Sequence, residues 1–239
     1  MINIKRLFFV CLLFLCFLSS GIVKGQSFNQ FDENKKRTGT WRKYYPNKRL
    51  RYIGQFKDGK EIGTFKFYSI KTSRFPEAIK IFDKDSDTIN IKYFYDNGKL
   101  RTVGKFVRKN RIGKWMYYYV TGKVFSEEFY VDGKLEGKVT IYFKSNGKKA
   151  EESIYKNGLL HGASKKYSDK EILIEDVLFE YGKANGLAKY FELSGSLKER
   201  GMYKDGKRVG KWEFYLDGEK VDDKKKRESR KNKIQHKNK

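Results

Sequence analysis

The 239 residues carry 54 Lys and Arg against 29 Asp and Glu, a formal net charge of +25, and 16% of them are aromatic. Two histidines and two cysteines leave little material for metal or nucleophilic chemistry. With only 38% of residues hydrophobic, rings must supply most of the burial.

Residues 1–25 read as a secretory signal. Lys5 and Arg6 lead, residues 7–18 form an unbroken apolar run, and Val23, Lys24 and Gly25 close it, so Gln26 would begin the mature chain. The apolar run is short of the ~20 residues that a spanning helix needs. Cys11 and Cys16 both lie in this segment, so the rest of the chain can form no disulfide and no thiolate metal site. Export places the protein in the periplasm, at the outer envelope surface or outside the cell.

Residues 26–38 are a polar lead-in. From residue 39 the chain repeats. Gly39, Gly63, Gly113, Gly137, Gly162, Gly186 and Gly210 are spaced by 24, 50, 24, 25, 24 and 24 residues, and Thr88 stands near the place of a missing glycine in the double gap. Such a period means a stacked array. Residues 104–119 show its unit: two apolar-alternating runs about a polar loop, which reads as a β-hairpin. Pairing Phe106 with Gly113 sets Gly104 opposite Trp115, and opposed residues share a face. Each ring would then lie over a bare backbone. The same seven-residue spacing links Phe56 to Gly63, Tyr130 to Gly137, Tyr155 to Gly162, Phe179 to Gly186 and Tyr203 to Gly210.

At the eleven-residue spacing, volumes compensate. Gly54 faces Phe65, Gly104 faces Trp115 and Gly201 faces Trp212, whereas Glu128 faces Val139, Ser153 faces Ser164 and Val177 faces Ala188. Turns follow from Asp58-Gly59, Asn97-Gly98, Asp132-Gly133, Asn157-Gly158 and Asp205-Gly206. No segment shows a 3.6-residue period. The expected fold is all-β: one elongated antiparallel meander of tandem hairpin repeats, about fifteen strands in a curved single-layer sheet. It spans residues 39–220. The segment 70–78, with Pro76, is a longer loop, and residues 221–239 are a basic, disordered tail.

The run GKWMYY at 113–118 with YVDGK at 130–134, and GKWEFY at 210–215 with YKDGK at 203–207, resemble the MORN repeat in its bacterial variant form. Ser164 and Ala188 depart from it where the motif has Trp. The resemblance implies interaction or structural roles, contacts with proteins or membrane lipid, and no enzymatic activity. Relatives labelled YwqK-family antitoxins imply an alternative, the neutralising of an exported toxin.

Candidates for chemistry are few. His161 and His236 have no partner at ligand spacing. Asp83, Asp85 and Asp87 open like a calcium loop, but Thr88 and Phe94 stand where that loop needs Gly and Glu. Glu127 and Glu128, like Glu151 and Glu152, are neighbours in a strand and must point to opposite faces. We expect no catalytic residue, no metal and no cofactor. Tyr44, Tyr68, Tyr118, Tyr142, Tyr167, Phe191 and Tyr215 fall on the face opposite Trp115 and Tyr117, as a candidate binding ladder for a macromolecular partner. The sequence reading is an exported, non-enzymatic scaffold for a protein partner at the cell envelope. A binder of anionic envelope glycan or lipid, through lysines and rings, is the other class; nucleic acid is not expected as a partner.

Overall fold

The computed structural model describes residues 27–221. The signal-like segment and all of the basic tail except Val221 lie outside them. The described residues contain no helix, and eighteen strands form one open sheet. They are β1 (Gln30–Phe31), β2 (Arg37–Tyr44), β3 (Leu50–Lys57), β4 (Lys60–Phe67), β5 (Ala78–Phe82), β6 (Thr88–Phe94), β7 (Leu100–Val107), β8 (Asn110–Tyr118) and β9 (Val124–Val131), followed by β10 (Lys134–Leu135), β11 (Gly137–Tyr142), β12 (Lys149–Lys156), β13 (Leu159–Tyr167), β14 (Leu173–Glu180), β15 (Lys183–Phe191), β16 (Leu197–Lys204), β17 (Lys207–Leu216) and β18 (Glu219–Val221). Each pairs antiparallel with its neighbour in sequence, except that β11 reaches past the two-residue β10 to β9. The expected fifteen strands are the long ones; β1, β10 and β18 are additional fragments of two or three residues.

Two kinds of turn alternate. One is a two-residue turn between directly paired residues. Lys57 pairs with Lys60 across Asp58 and Gly59, whose φ values are 52° and 80°. Both central residues must be left-handed here, which Asp-Gly and Asn-Gly supply. The other is longer: Tyr95 N–H donates to Lys99 O and Gly98 N–H donates to Tyr95 O, both at 2.8 Å, with Gly98 at φ 81°.

The tight turn corrects the expected register. Phe106 pairs with Arg111, not with Gly113, and Phe56 pairs with Glu61. Further along, Val103 pairs with Met116, so Gly104 alone faces residues 113–115. The same two-residue slip occurs in the β3–β4, β12–β13, β14–β15 and β16–β17 pairs. Gly113 lies in this bulge at φ 61°, and a Cβ there would meet nothing within 4 Å. It is glycine for its backbone conformation and cradles no ring. Its aromatic partner is Tyr130, on the following strand, and Gly39, Gly162 and Gly186 pair likewise with Phe56, Phe179 and Tyr203. The β5–β6 hairpin runs in even register with no bulge, and there Ile89 occupies the place opposite Phe106. The glycine is missing where the bulge is missing.

The eleven-residue pairs pack as expected. A Cβ on Gly54 would lie 2.3 Å from Cδ1 of Phe65, one on Gly104 2.2 Å from Cδ2 of Trp115, and one on Gly201 2.2 Å from Cδ2 of Trp212. Ser153 and Ser164 pair directly, Oγ to Oγ at 2.8 Å, and Val177 pairs with Ala188. Partner to partner, these residues make one row along the sheet. Phe65, Ile91, Trp115, Ser153, Val177 and Ala188 in this row are at most 3% exposed. A one-layer sheet buries a row by letting rings from flanking rows lean over it. Phe106 and Tyr130 meet Trp115 at 5.0 and 6.1 Å, and the Arg111 guanidinium covers it at 4.7 Å. Arg37 over Trp41 and Arg208 over Trp212 repeat the arrangement at 5.0 and 3.8 Å.

One long margin of the sheet is tied from repeat to repeat. Tyr45, Tyr95 and Tyr119 hydroxyls donate to the carbonyls of Tyr68, Tyr118 and Tyr142 at 2.9, 2.6 and 2.8 Å. Asn146 Nδ2 donates to Asp169 O at 2.7 Å.

Candidate interaction surface

The face opposite Trp115 carries the candidate ladder. Alternation puts Met116, Glu127, Thr140 and Glu152 there, partner to partner. Tyr142 donates its hydroxyl to Glu127 at 3.0 Å, Tyr167 to Glu152 at 3.3 Å and Tyr215 to Glu213 at 3.0 Å. These three rings are on the expected face, half-buried, with their hydroxyls tied to carboxylates of the sheet. Burial and the Glu127 hydrogen bond push the Tyr142 phenol up to about 12. Tyr68, Tyr118 and Phe191 are also half-buried, and Tyr44 is 50% exposed. Tyr68, Tyr118 and Tyr142 give their main-chain carbonyls to the margin ties. Ring-to-ring contacts concentrate on the other face, around Phe65, Trp115 and Trp212.

The adjacent carboxylates separate as alternation requires. Glu127 meets Lys114 Nζ at 2.6 Å, whereas Glu128 accepts from Tyr130 at 2.7 Å on the ring-bearing face. The Lys114 hydrogen bond holds the Glu127 carboxyl below its usual range. Lys138 and Lys149 both reach Glu152, at 3.4 and 3.1 Å. Lys114 and Lys138 thus meet carboxylates of the next strand, and Lys149 one of its own. Exposed pairs of this kind contribute little stability each, but they fix which strand edges match.

Glu213 is held most firmly. Lys220 Nζ lies 2.5 Å away, Arg200 Nε also donates to it, and Tyr215 adds its hydroxyl. These partners pull its carboxyl from an ordinary 4.5 down to about 2, Lys220 contributing most. A depressed carboxylate contributes stability that is present above its unfolded value and lost as pH falls through its folded value. Glu213→Gln should therefore lower the protection of the β16–β18 amides at neutral pH. The difference from wild type should shrink between pH 4.5 and about 2. Hydrogen exchange at several pH values measures this, and a difference that stays constant across the range would refute it.

The apolar feature of this face was not read from the sequence. Ala163 pairs with Leu178, Leu187 with Met202, and Met202 with Val209. Leu178, Leu187, Met202 and Val209 are 40%, 38%, 47% and 39% exposed. They form a continuous apolar row on β14–β17. The signal was present in the alternation of these strands, but the alignment of these side chains from strand to strand depends on the bulge register, which spacing alone did not give.

Among the described residues no three His, Cys, Asp or Glu converge on a metal site, so the Asp83–Asp85–Asp87 turn gathers no ligand set. His161 lies on β13 with its ring edge-on to Tyr181 at 5.2 Å. No described helix is long and apolar enough to cross a membrane.

The family model of the MORN repeat variant matches residues 37–58 and 184–205, one segment near each end of the sheet. No curated protein matches the chain. Two crystal structures of TarM align with it, one of them an S. aureus mutant in complex with Fondaparinux, alpha-GlcNAc-glycerol and UDP. Both give a TM-score of 0.27, at 11% and 12% identity, over 38% of this chain and 18% of theirs. The chain thus spans less than a fifth of the length of those proteins, and at that score the likeness bears on no function.

Proposed function

From a chain of MORN-variant repeats laid out as one open meander, we propose a non-enzymatic scaffold that is exported and binds a protein partner at the cell envelope. The observation that carries this is the row Leu178, Leu187, Met202 and Val209. Four apolar side chains standing side by side across four strands differ from the scattered exposure normal for a surface, and contiguous apolar patches mark contact sites. The half-buried tyrosines and their carboxylates flank this row as a polar rim. Lys114, Lys138 and Lys149 are already paired with carboxylates, which lowers their own pull on an anionic glycan or lipid.

The test uses envelope fractions and two forms of the protein. The wild type should retain a protein partner through a high-salt wash, since apolar contact is not screened. Leu187→Glu with Met202→Glu should keep the wild-type circular dichroism and lose binding by on the order of ten-fold or more. Equal capture by the variant would remove the row from the function. Retention that vanishes with salt in the wild type would favour the anionic-ligand reading instead.

A further inference from the structure

The two ends of the sheet differ. At the first, β1 covers β2: Gln30 pairs with Thr38, Phe31 with Arg37, and Phe31 meets Trp41 edge-on at 5.1 Å. At the last, β18 pairs only with Phe214, Tyr215 and Leu216 of β17. Among the described residues, Val209–Glu213 of β17 has a neighbour on one side only, and β17 residues 207–211 are exposed.

The interior of the sheet shows what fits such an edge. β17 repeats β8: Arg208, Val209, Gly210, Lys211 and Trp212 correspond to Arg111, Ile112, Gly113, Lys114 and Trp115. On β8 the outer side is occupied by β9. Tyr130 lies opposite Gly113 and closes over Trp115 at 6.1 Å, and Glu127 meets Lys114 at 2.6 Å. The pattern recurs where β12 covers β11. Tyr155 lies opposite Gly137, and Glu152 meets Lys138 at 3.4 Å. The covering strand carries a carboxylate three residues before an aromatic. On β17 no described carboxylate pairs with Lys211, and Trp212 is only half-buried where Trp115 is 1% exposed. The sequence after Val221 holds no Phe, Trp or Tyr.

We propose that the outer edge of β17 accepts an extended segment of a partner protein as an added antiparallel strand. That segment bears a carboxylate for Lys211 and, three residues on, an aromatic that lies opposite Gly210 and completes the burial of Trp212. Main-chain hydrogen bonds supply the affinity and these two side chains the selection. The proposal shares with the preceding one only that the partner is a protein. Its readout is the β17 backbone, so it can fail while the apolar row stands, and the reverse.

The probe is a synthetic peptide copying Glu127–Val131, the part of β9 that covers β8 at Gly113–Met116; Val124–Ser126 are left out because β18 already pairs with Phe214 and Tyr215. Added to the full chain, it should slow hydrogen exchange at the amides of residues 209–213. A peptide with Tyr130→Ala should bind on the order of ten-fold or more weakly. The exposed change Lys211→Glu in the chain should weaken the wild-type peptide and strengthen a Glu127→Lys peptide. Amides of 209–213 that are protected before any peptide is added would show the chain's own tail on the edge and overturn the proposal. Amides that stay unprotected with peptide present would overturn it too, as would equal binding by the Tyr130→Ala peptide.

Discussion

Gly104→Ala is expected to destabilise the β7–β8 hairpin by about 3 kcal/mol, at the upper end of what overpacking costs. Gly104 has an ordinary strand conformation, so its backbone accepts alanine; the obstacle is the Trp115 ring, 2.2 Å from the new Cβ. That ring cannot swing aside, being 1% exposed and hemmed in by Phe106, Tyr117, Tyr130 and Arg111. Gly113→Ala is the contrasting change. Space is open there, and the cost is the left-handed φ of 61°, roughly 1–2 kcal/mol. Asparagine separates the two causes, since it tolerates the left-handed region but is larger than alanine. Gly113→Asn should be milder than Gly113→Ala, and Gly104→Asn harsher than Gly104→Ala. Urea denaturation with hydrogen exchange on the same hairpin reads both. The same order at both sites would mean that one cause acts at both.

Trp115→Ala should cost about 3–5 kcal/mol, as buried tryptophan truncations do. The sheet itself supplies the compensating change, because Val177 and Ala188 occupy the equivalent places in a later repeat. Gly104→Val alone should be worse than Gly104→Ala. Added to Trp115→Ala, it should instead restore part of the loss by filling the vacated space. The substitution changes sign with its neighbour, which contacting residues allow and independent ones do not. Additive costs in the double variant would end the cradle account of the glycine and tryptophan pairs.

The eleven-residue pairs were legible because both partners lie on one hairpin and their volumes vary together over six repeats. The bulge was not. A spacing of seven between Phe106 and Gly113 fits either a long loop or a two-residue turn followed by extra residues. Only the turn chemistry separates these. Asp58-Gly59 and Asn157-Gly158 are two-residue hairpin turns, and placing the turn there forces Phe56 onto Glu61. The pairing of Gly113 with Tyr130 joins residues of different hairpins and leaves no mark at short range. For the tyrosines, alternation gave the face. The hydroxyl partners of Tyr142 and Tyr167 lie on a neighbouring strand, fifteen residues away, where spacing alone selects no partner. The open edge of β17 became visible only by comparing it with the occupied edge of β8.

The margin ties carry a mechanical consequence. A lone sheet resists stretching along its strands far better than bending across them, and each side-chain tie between successive turns acts as a chord that sets the local arc. Tyr45, Tyr95, Tyr119 and Asn146 supply such chords as far as Asp169. The corresponding tyrosine position falls on Phe143, Ser168 and Glu192 in the later repeats. The N-terminal two-thirds of the ribbon is therefore held at both margins, while β14–β17, with the exposed leucines and Met202, are chained at the opposite margin, where Gly182 N–H and Gly206 N–H donate to Leu160 O and Ala184 O.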